Sequence, residues 1–272
     1  MLSRNEEPTM GFACAQPAHG LRAWRMAYRR TERETARLAA RHQAIIAAAR
    51  TLASESGLGA VQIVPVAERA GIAAGTVYRY FPSKDDLVAA VVSATAEREV
   101  AAIRAAAAAA PGALSALAAA IVAFASGTIR MRRLAWGMLA ESPQPPPFSP
   151  PQAAEGRGAA GEGREGVARL AFRRDVGGEF EGLIRAAIAA GHLPDQLPAV
   201  TAAAVIGATV ESLVGPLAPT LVGPDAERAA VQRITLFALR ALGVADAHAR
   251  GLVISVITNQ GSGIKNQSSS VF

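Results

Sequence analysis

The chain has 272 residues, 51% of them hydrophobic, with a net charge of +6 and one cysteine. That length and apolar content allow a sizeable buried core, while the lone Cys14 excludes an internal disulfide and a cysteine-rich metal site and suits a reducing cytoplasm. Most of the apolar content is alanine, a strong helix former and a poor strand former, and no Asn-Gly or Asp-Gly hairpin signal interrupts it, so the expected fold class is all-α.

Charge is unevenly placed. Over residues 20–84 ten arginines and one lysine stand against Glu32, Glu34, Glu55 and Glu68, a surplus of seven, so the remainder of the chain comes to about −1. A basic N-terminal third points to a polyanionic partner at that end; a solvated charged helix face is the plainer alternative. Residues 1–34 contain no apolar run of the kind that marks a secretory signal. They are expected to form a basic, flexible extension, with 21–30 either an arm or an early part of the first helix.

Leu38, Ile45, Ala48 and Leu52 recur at helical spacing, with Arg37, Arg41 and Arg50 on other faces, which predicts an amphipathic first helix over 35–55. Gly57-Leu58-Gly59 stops it. Pro65 suits the first turn of a second helix over 64–70, with Val66 and Ala70 inward. Gly71 then stands where a helix end calls for a left-handed residue. A short third helix over 73–80 turns Val77 and Phe81 inward and leaves Thr76, Tyr78 and Tyr80 on other sides. Two helices joined by so tight a turn form a helix-turn-helix, whose second helix enters the major groove. The hydroxyls suit phosphate oxygens, and a Tyr ring or Thr methyl can meet a thymine methyl; simple packing with a surface hydroxyl is the alternative for the tyrosines. Ser83 opens a fourth helix over 83–109 as a cap paired with Asp86, which puts Lys84 at a helix end that favours phosphate.

Between Arg104 and Arg130 lie 25 uncharged residues, more than the roughly 20 of a membrane-spanning helix. Pro111-Gly112 interrupts them, so a buried helical pair is expected and no membrane partner. Helices over 112–126 and 128–141 follow. Met131, Leu134, Trp136 and Met138 in the second, with Phe124 and Phe180, are candidates to line a pocket for a small apolar effector, with plain core as the alternative. The Pro/Gly-rich stretch 142–163 is expected to be a long irregular loop. A helix over 165–190 comes next, with Gly177-Gly178 as a possible kink and Gly191 as its stop.

Helices over 198–214 and 226–242 carry apolar faces, Val205, Ile206, Val210 and Leu213 in one, Val231, Ile234, Phe237 and Ala241 in the other. Such a pair either closes one subunit or packs on a two-fold mate as a four-helix bundle. Residues 244–272 read as a polar, disordered tail with an apolar stretch at 252–257 able to dock. His19, His42, His192 and His248 are isolated, and the glycines of 156–166 follow no strand. No nucleophile and base, metal set or phosphate cradle is visible, so no enzyme, cofactor or metal is expected.

The run Ala67-Glu68-Arg69-Ala70-Gly71, then Gly75-Thr76-Val77-Tyr78-Arg79-Tyr80-Phe81 with Ser83-Lys84 and Leu87, resembles the signature of the tetracycline-repressor (TetR/AcrR) family of bacterial regulators, over about residues 38–90. The resemblance implies an N-terminal three-helix DNA-binding domain at 35–85, with its helix-turn-helix at about 62–81, followed by an α-helical ligand-binding and dimerisation domain at 86–243. It also implies a cytoplasmic, nucleoid-associated homodimeric repressor, joined through about 198–242, that binds double-stranded operator DNA. The DNA contacts it implies are Ala73, Ala74, Gly75, Thr76, Tyr78, Arg79, Tyr80, Lys84 and Arg41. This chain departs from the family at Val61-Gln62 and Ala73, where Thr or Ser is common, and at Ala74, where a basic residue is common. A ligand-binding or interaction protein with a weakened DNA-reading surface is therefore the alternative.

Overall fold

The computed structural model describes the backbone of residues 18–139 and 163–267 and the side chains of residues 34–139 and 163–258. The loop expected at 142–163 lies, but for its last residue, outside the described residues, and so do Cys14 and the side chains of the arm expected at 21–30. Among the described residues the regular elements are all helical: α1 (Ala18–Ser56), a 3₁₀ turn (Leu58–Ala60), α2 (Ile63–Ala70), α3 (Ala74–Tyr80), α4 (Lys84–Ala108), α5 (Ala113–Arg130), α6 (Arg132–Leu139), α7 (Arg164–Ala189), α8 (Pro198–Val214), α9 (Pro224–Ala241) and α10 (Asp246–Gln267).

Met1–Gln43 and Ala44–Phe272 form separate compact units. In the first, the described side chains are exposed except for half-buried His42. Leu38, expected on an apolar stripe, is 46% exposed: among the described side chains of α1 the first buried one is Ile45, so helical spacing alone extended the stripe about two turns too far.

In the second unit α5 is the hub, packing against α4, α6, α7, α8, α9 and α10. Its many alanines let neighbours approach closely, while Leu117, Ile121 and Phe124 fill the space between them. Each such side chain contributes about 1.5–3 kcal/mol when fully buried. α5 is long and apolar enough to cross a membrane, but 67% of it is buried inside the fold, the pattern of a core helix. α4 and α7 pair along their lengths, and Arg104 donates to Glu179 between them at 2.5 and 2.8 Å.

Two expectations are corrected. The helix expected from Thr128 starts instead at Arg132, because α5 runs on to Arg130 before the break at Met131. Thr128 is a satisfied helical residue, its hydroxyl donating to the Phe124 carbonyl at 2.8 Å. The tail expected to be disordered contains α10, with Ala249, Val253 and Val256 buried and the helix packed on α5 and α9. Those three residues lie one turn apart on one face, a periodicity hidden by the polar composition that follows them. On the apolar face read for α9, Phe237 is 56% exposed and Ala241 is exposed as well. Each lies to one side of the buried stripe formed by Val231, Ile234 and Ala238. At the possible kink, α7 runs unbroken through Gly177-Gly178.

Candidate nucleic-acid interface and interior cavities

The turn between α2 and α3 is built by Gly71, at φ 66° and ψ 35°. Its amide donates to the Glu68 carbonyl at 3.1 Å and that of Ile72 to the Ala67 carbonyl at 3.0 Å, the paired bonds of a Schellman end. A side chain would meet nothing within 4 Å there, so the requirement for glycine is conformational, not steric. Val66, Ala67, Val77 and Phe81 are buried and hold α2 and α3 together. At the far end Glu55 accepts from Arg69 at 2.8 Å, tying the last turn of α1 to α2. That hydrogen bond lowers the Glu55 pKa.

α3 turns Gly75, Tyr78 and Arg79 to solvent, with Tyr78 53% exposed. Ala73 just before the helix is exposed too, and Ala74 and Thr76 are half-buried. Tyr80, expected on the outer side, is half-buried against the core. It follows Val77 by three residues, which brings it within about 60° of the inward direction. Lys84 is exposed at the first turn of α4, and neither it nor Arg79 has an ion-pair partner among the described residues. Arg41 is exposed, within the first unit.

The α4 cap is closed as its sequence implies. Ser83 Oγ accepts the Asp86 amide at 3.1 Å and donates to the Asp86 carboxylate at 2.8 Å. The other carboxylate oxygen takes Arg164 of α7. The Ser83 hydroxyl, followed by the Arg164 charge, holds the Asp86 carboxyl below its ordinary pKa. By contrast Gln62 before α2 and Ala73 before α3 make no side-chain cap.

Of the six pocket candidates, Phe124, Met131, Leu134 and Met138 line one cavity together with Thr95, Glu99 and Phe172. Its volume is only about 20 Å³, room for a single water. Phe180 lies beside it, fully buried, edge-on to Phe124 with ring centroids 5.7 Å apart. Trp136 faces a different space, a cavity of about 550 Å³ between α6, α7 and α8 whose rim carries Arg173, Arg174, Glu181 and Glu211. The six residues therefore do not form one pocket. Sequence reasoning missed two contacts that join distant helices. Arg130 of α5 pairs with Glu99 of α4 at 3.1 Å, and Arg133 of α6 donates to the Glu55 carbonyl of α1 at 2.8 Å. Their partners are 31 and 78 residues away, beyond the reach of local periodicity.

Comparison with known proteins meets the same boundary. Residues 45–91 match the family described as bacterial regulatory proteins, tetR family. The HTH-type transcriptional repressor KstR of Rhodococcus jostii (strain RHA1) is 48% identical over 58 residues, 21% of this chain and 27% of that protein. KstR of Mycolicibacterium smegmatis is 47% identical over 58 residues, 21% of this chain and 28% of that protein. The chain thus spans little more than a quarter of the length of these curated relatives. Among solved structures, RolR in complex with resorcinol superposes with a TM-score of 0.52 at 19% identity, over 80% of this chain and 95% of that one. FadR from Bacillus subtilis in complex with stearoyl-CoA gives 0.53 at 19% identity, over 72% and 96%. These likenesses carry the fold across most of the chain, and the sequence match is confined to the helix-turn-helix and its flanks. Over residues 45–91, and there alone in sequence, the chain is similar to the tetR family of bacterial regulatory proteins.

Proposed function

We propose that the protein is a ligand-responsive, homodimeric, cytoplasmic repressor of transcription that reads operator DNA with α3. The observation that carries this reading is the open side of α3: Tyr78 and Arg79, and Lys84 in the first turn of α4, are exposed and without an ion-pair partner among the described residues, on a scaffold fixed by Gly71, Phe81 and the Ser83 cap. Arginine and lysine supply phosphate contacts, and the Tyr78 ring supplies an apolar contact to a base edge. In this reading Thr76, Tyr80, Ala73, Ala74 and Gly75 flank the contact, Arg41 is a further candidate for DNA, residues 35–85 form the DNA-binding domain and 86–243 the ligand and dimer domain. Exposed apolar side chains gather in the later helices and their connections, at Leu197, Val200, Leu217, Val222 and Phe237, which supports pairing of 198–242 with a second copy. Two copies would set their recognition helices about 34 Å apart, or a multiple of it, on a near-palindromic site.

A second reading, a ligand-binding or interaction protein whose DNA surface has weakened, is favoured by one feature. Gln62 and Ala73 cap nothing, and Val64, 56% exposed, offers no polar group to a base. Titrating the purified protein into the intergenic DNA beside its own gene, at several salt concentrations, separates the two. Sequence-selective, salt-dependent binding is expected for the regulator; binding no stronger than to unrelated DNA overturns it. The matched curated relatives are described as transcriptional repressors, and no catalytic step is proposed for this chain.

A further inference from the structure

The largest of the described cavities, about 660 Å³, lies away from the pocket candidates, between the last turn of α1, α5, the α5–α6 junction, α9 and α10. Its composition is divided. Val122, Ile129, Val231 and Ile257 supply an apolar wall; the first three are buried and Ile257 is half-buried. Four arginines, Arg130, Arg132, Arg133 and Arg228, supply a cationic rim opposed by the single carboxylate of Glu227. Ser54 and Ser126 add hydroxyls, and the first turn of α9 at Pro224 adds the positive end of a helix. Arg130 and Arg228 are already paired with Glu99 and Asp225, which leaves Arg132 and Arg133 as the guanidiniums of the rim without a carboxylate partner among the described residues. The cavity volume falls in the range of small-molecule sites, about 300–1,000 Å³.

We infer that this cavity is the effector site and that it takes an amphipathic anion, with an apolar tail on the α5, α9 and α10 wall and a carboxylate or phosphate on the arginine rim. The inference rests on reading the chain as a ligand-responsive regulator, and it places the effector where the arginines are already engaged with the DNA-binding end. Arg130 is the partner of Glu99, and Arg133 holds the carbonyl of Glu55, whose carboxylate in turn holds Arg69 of α2. Arg132 has no ion-pair partner among the described residues, and Arg228 pairs only with exposed Asp225. An incoming anion therefore meets Arg132 and Arg228 at little cost. It then competes with Glu99 for Arg130 and with the Glu55 carbonyl for Arg133. Loss of the second bond frees the end of α1 from α6, so the loaded protein holds its α1–α2 unit in a different setting and its DNA affinity falls.

Calorimetric titration of the full chain with octyl phosphate, octanoate and octan-1-ol tests the site without DNA. Both anions are expected to bind at least tenfold more tightly than the alcohol. Arg132→Ala and Arg228→Ala should each weaken octyl phosphate binding about tenfold with the melting temperature unchanged. Equal binding of octan-1-ol, absence of binding by both anions, or unchanged affinity in both folded variants overturns the assignment. Preference for one anion over the other identifies whether a carboxylate or a phosphate head fits the rim. A DNA duplex selected by the protein from a random pool should be released by the same anion. Retention of that duplex at saturating octyl phosphate overturns the coupling. If no duplex is ever bound, the regulator reading falls while the calorimetry still decides the site.

Discussion

The helix-turn-helix region and the helical body of this chain are stabilised by interactions of different range. From Gly57 to Leu87 the turn and cap bonds join near neighbours in sequence, Gly71 to Glu68, Ile72 to Ala67 and Ser83 to Asp86, while Arg69 to Glu55 and Asp86 to Arg164 reach further. Across the helical body they join residues far apart, Arg104 to Glu179, Arg130 to Glu99 and Arg133 to Glu55. Short-range bonds demand particular residues at fixed spacing, whereas a packed helical body accepts many apolar combinations of suitable volume. The comparisons divide in the same way. Identity reaches 48% over the 58 matched residues of KstR, while solved structures share the fold over most of the chain at 19%.

The largest test of this contrast lies in the body. Phe180→Ala removes a fully buried ring that stacks on Phe124, and it should cost about 3–5 kcal/mol in chemical denaturation. Phe180→Leu should recover most of that loss, because the site asks for volume more than for one residue. In the helix-turn-helix region the costs are smaller but tied to identity. Gly71→Ala forces a side chain into a left-handed conformation with no compensating contact and should cost about 1–2 kcal/mol. Ser83→Ala should cost about 1 kcal/mol through loss of the α4 cap, with Ser83→Asp retaining most of it. Recovery of Gly71→Ala stability by any second substitution in the body would break the distinction between the two ends.

Gly71, Val77, Phe81 and Ser83 were legible because each states its role within four residues of itself. The body was legible as helices but not as a site. Met131, Leu134, Trp136 and Met138 form one stripe in sequence. The break at Met131 and the packing of α7 send Trp136 to one cavity and the other three to another. Arg130, Arg132, Arg133 and Arg228 carry no local mark of a site, because only the tertiary fold brings α9 beside the α5–α6 junction. Tyr80 shows the limit in the helix-turn-helix: it reads as projecting from another side than Val77, and its angular place beside Val77 half-buries it.

The smallest effect is the dependence on acid. Glu55, Asp86 and Asp246 all have lowered pKa values, through Arg69, through Ser83 with Arg164, and through Arg250 with Arg240 respectively. A folded pKa below the unfolded one means that the unfolded chain takes up protons first as the solution is acidified. The stabilisation is therefore present above about pH 4 and is lost as pH falls below it. Melting temperature should drop in that window, and because these groups lie at the surface the drop should shrink in high salt. A melting temperature that is flat across that window would remove these pairs from the account.

Reading of DNA by α3 is tested most directly by fluorescence anisotropy on a duplex that the protein selects from a random pool, comparing the parent chain with Tyr78→Ala/Lys84→Ala. Both side chains are exposed, so the variant should melt as the parent does and keep its oligomeric state. Its affinity should fall at least tenfold, with the slope of log affinity against log salt reduced by about one for the lost phosphate contact. An unchanged affinity and slope in the folded variant would contradict the assignment of this surface.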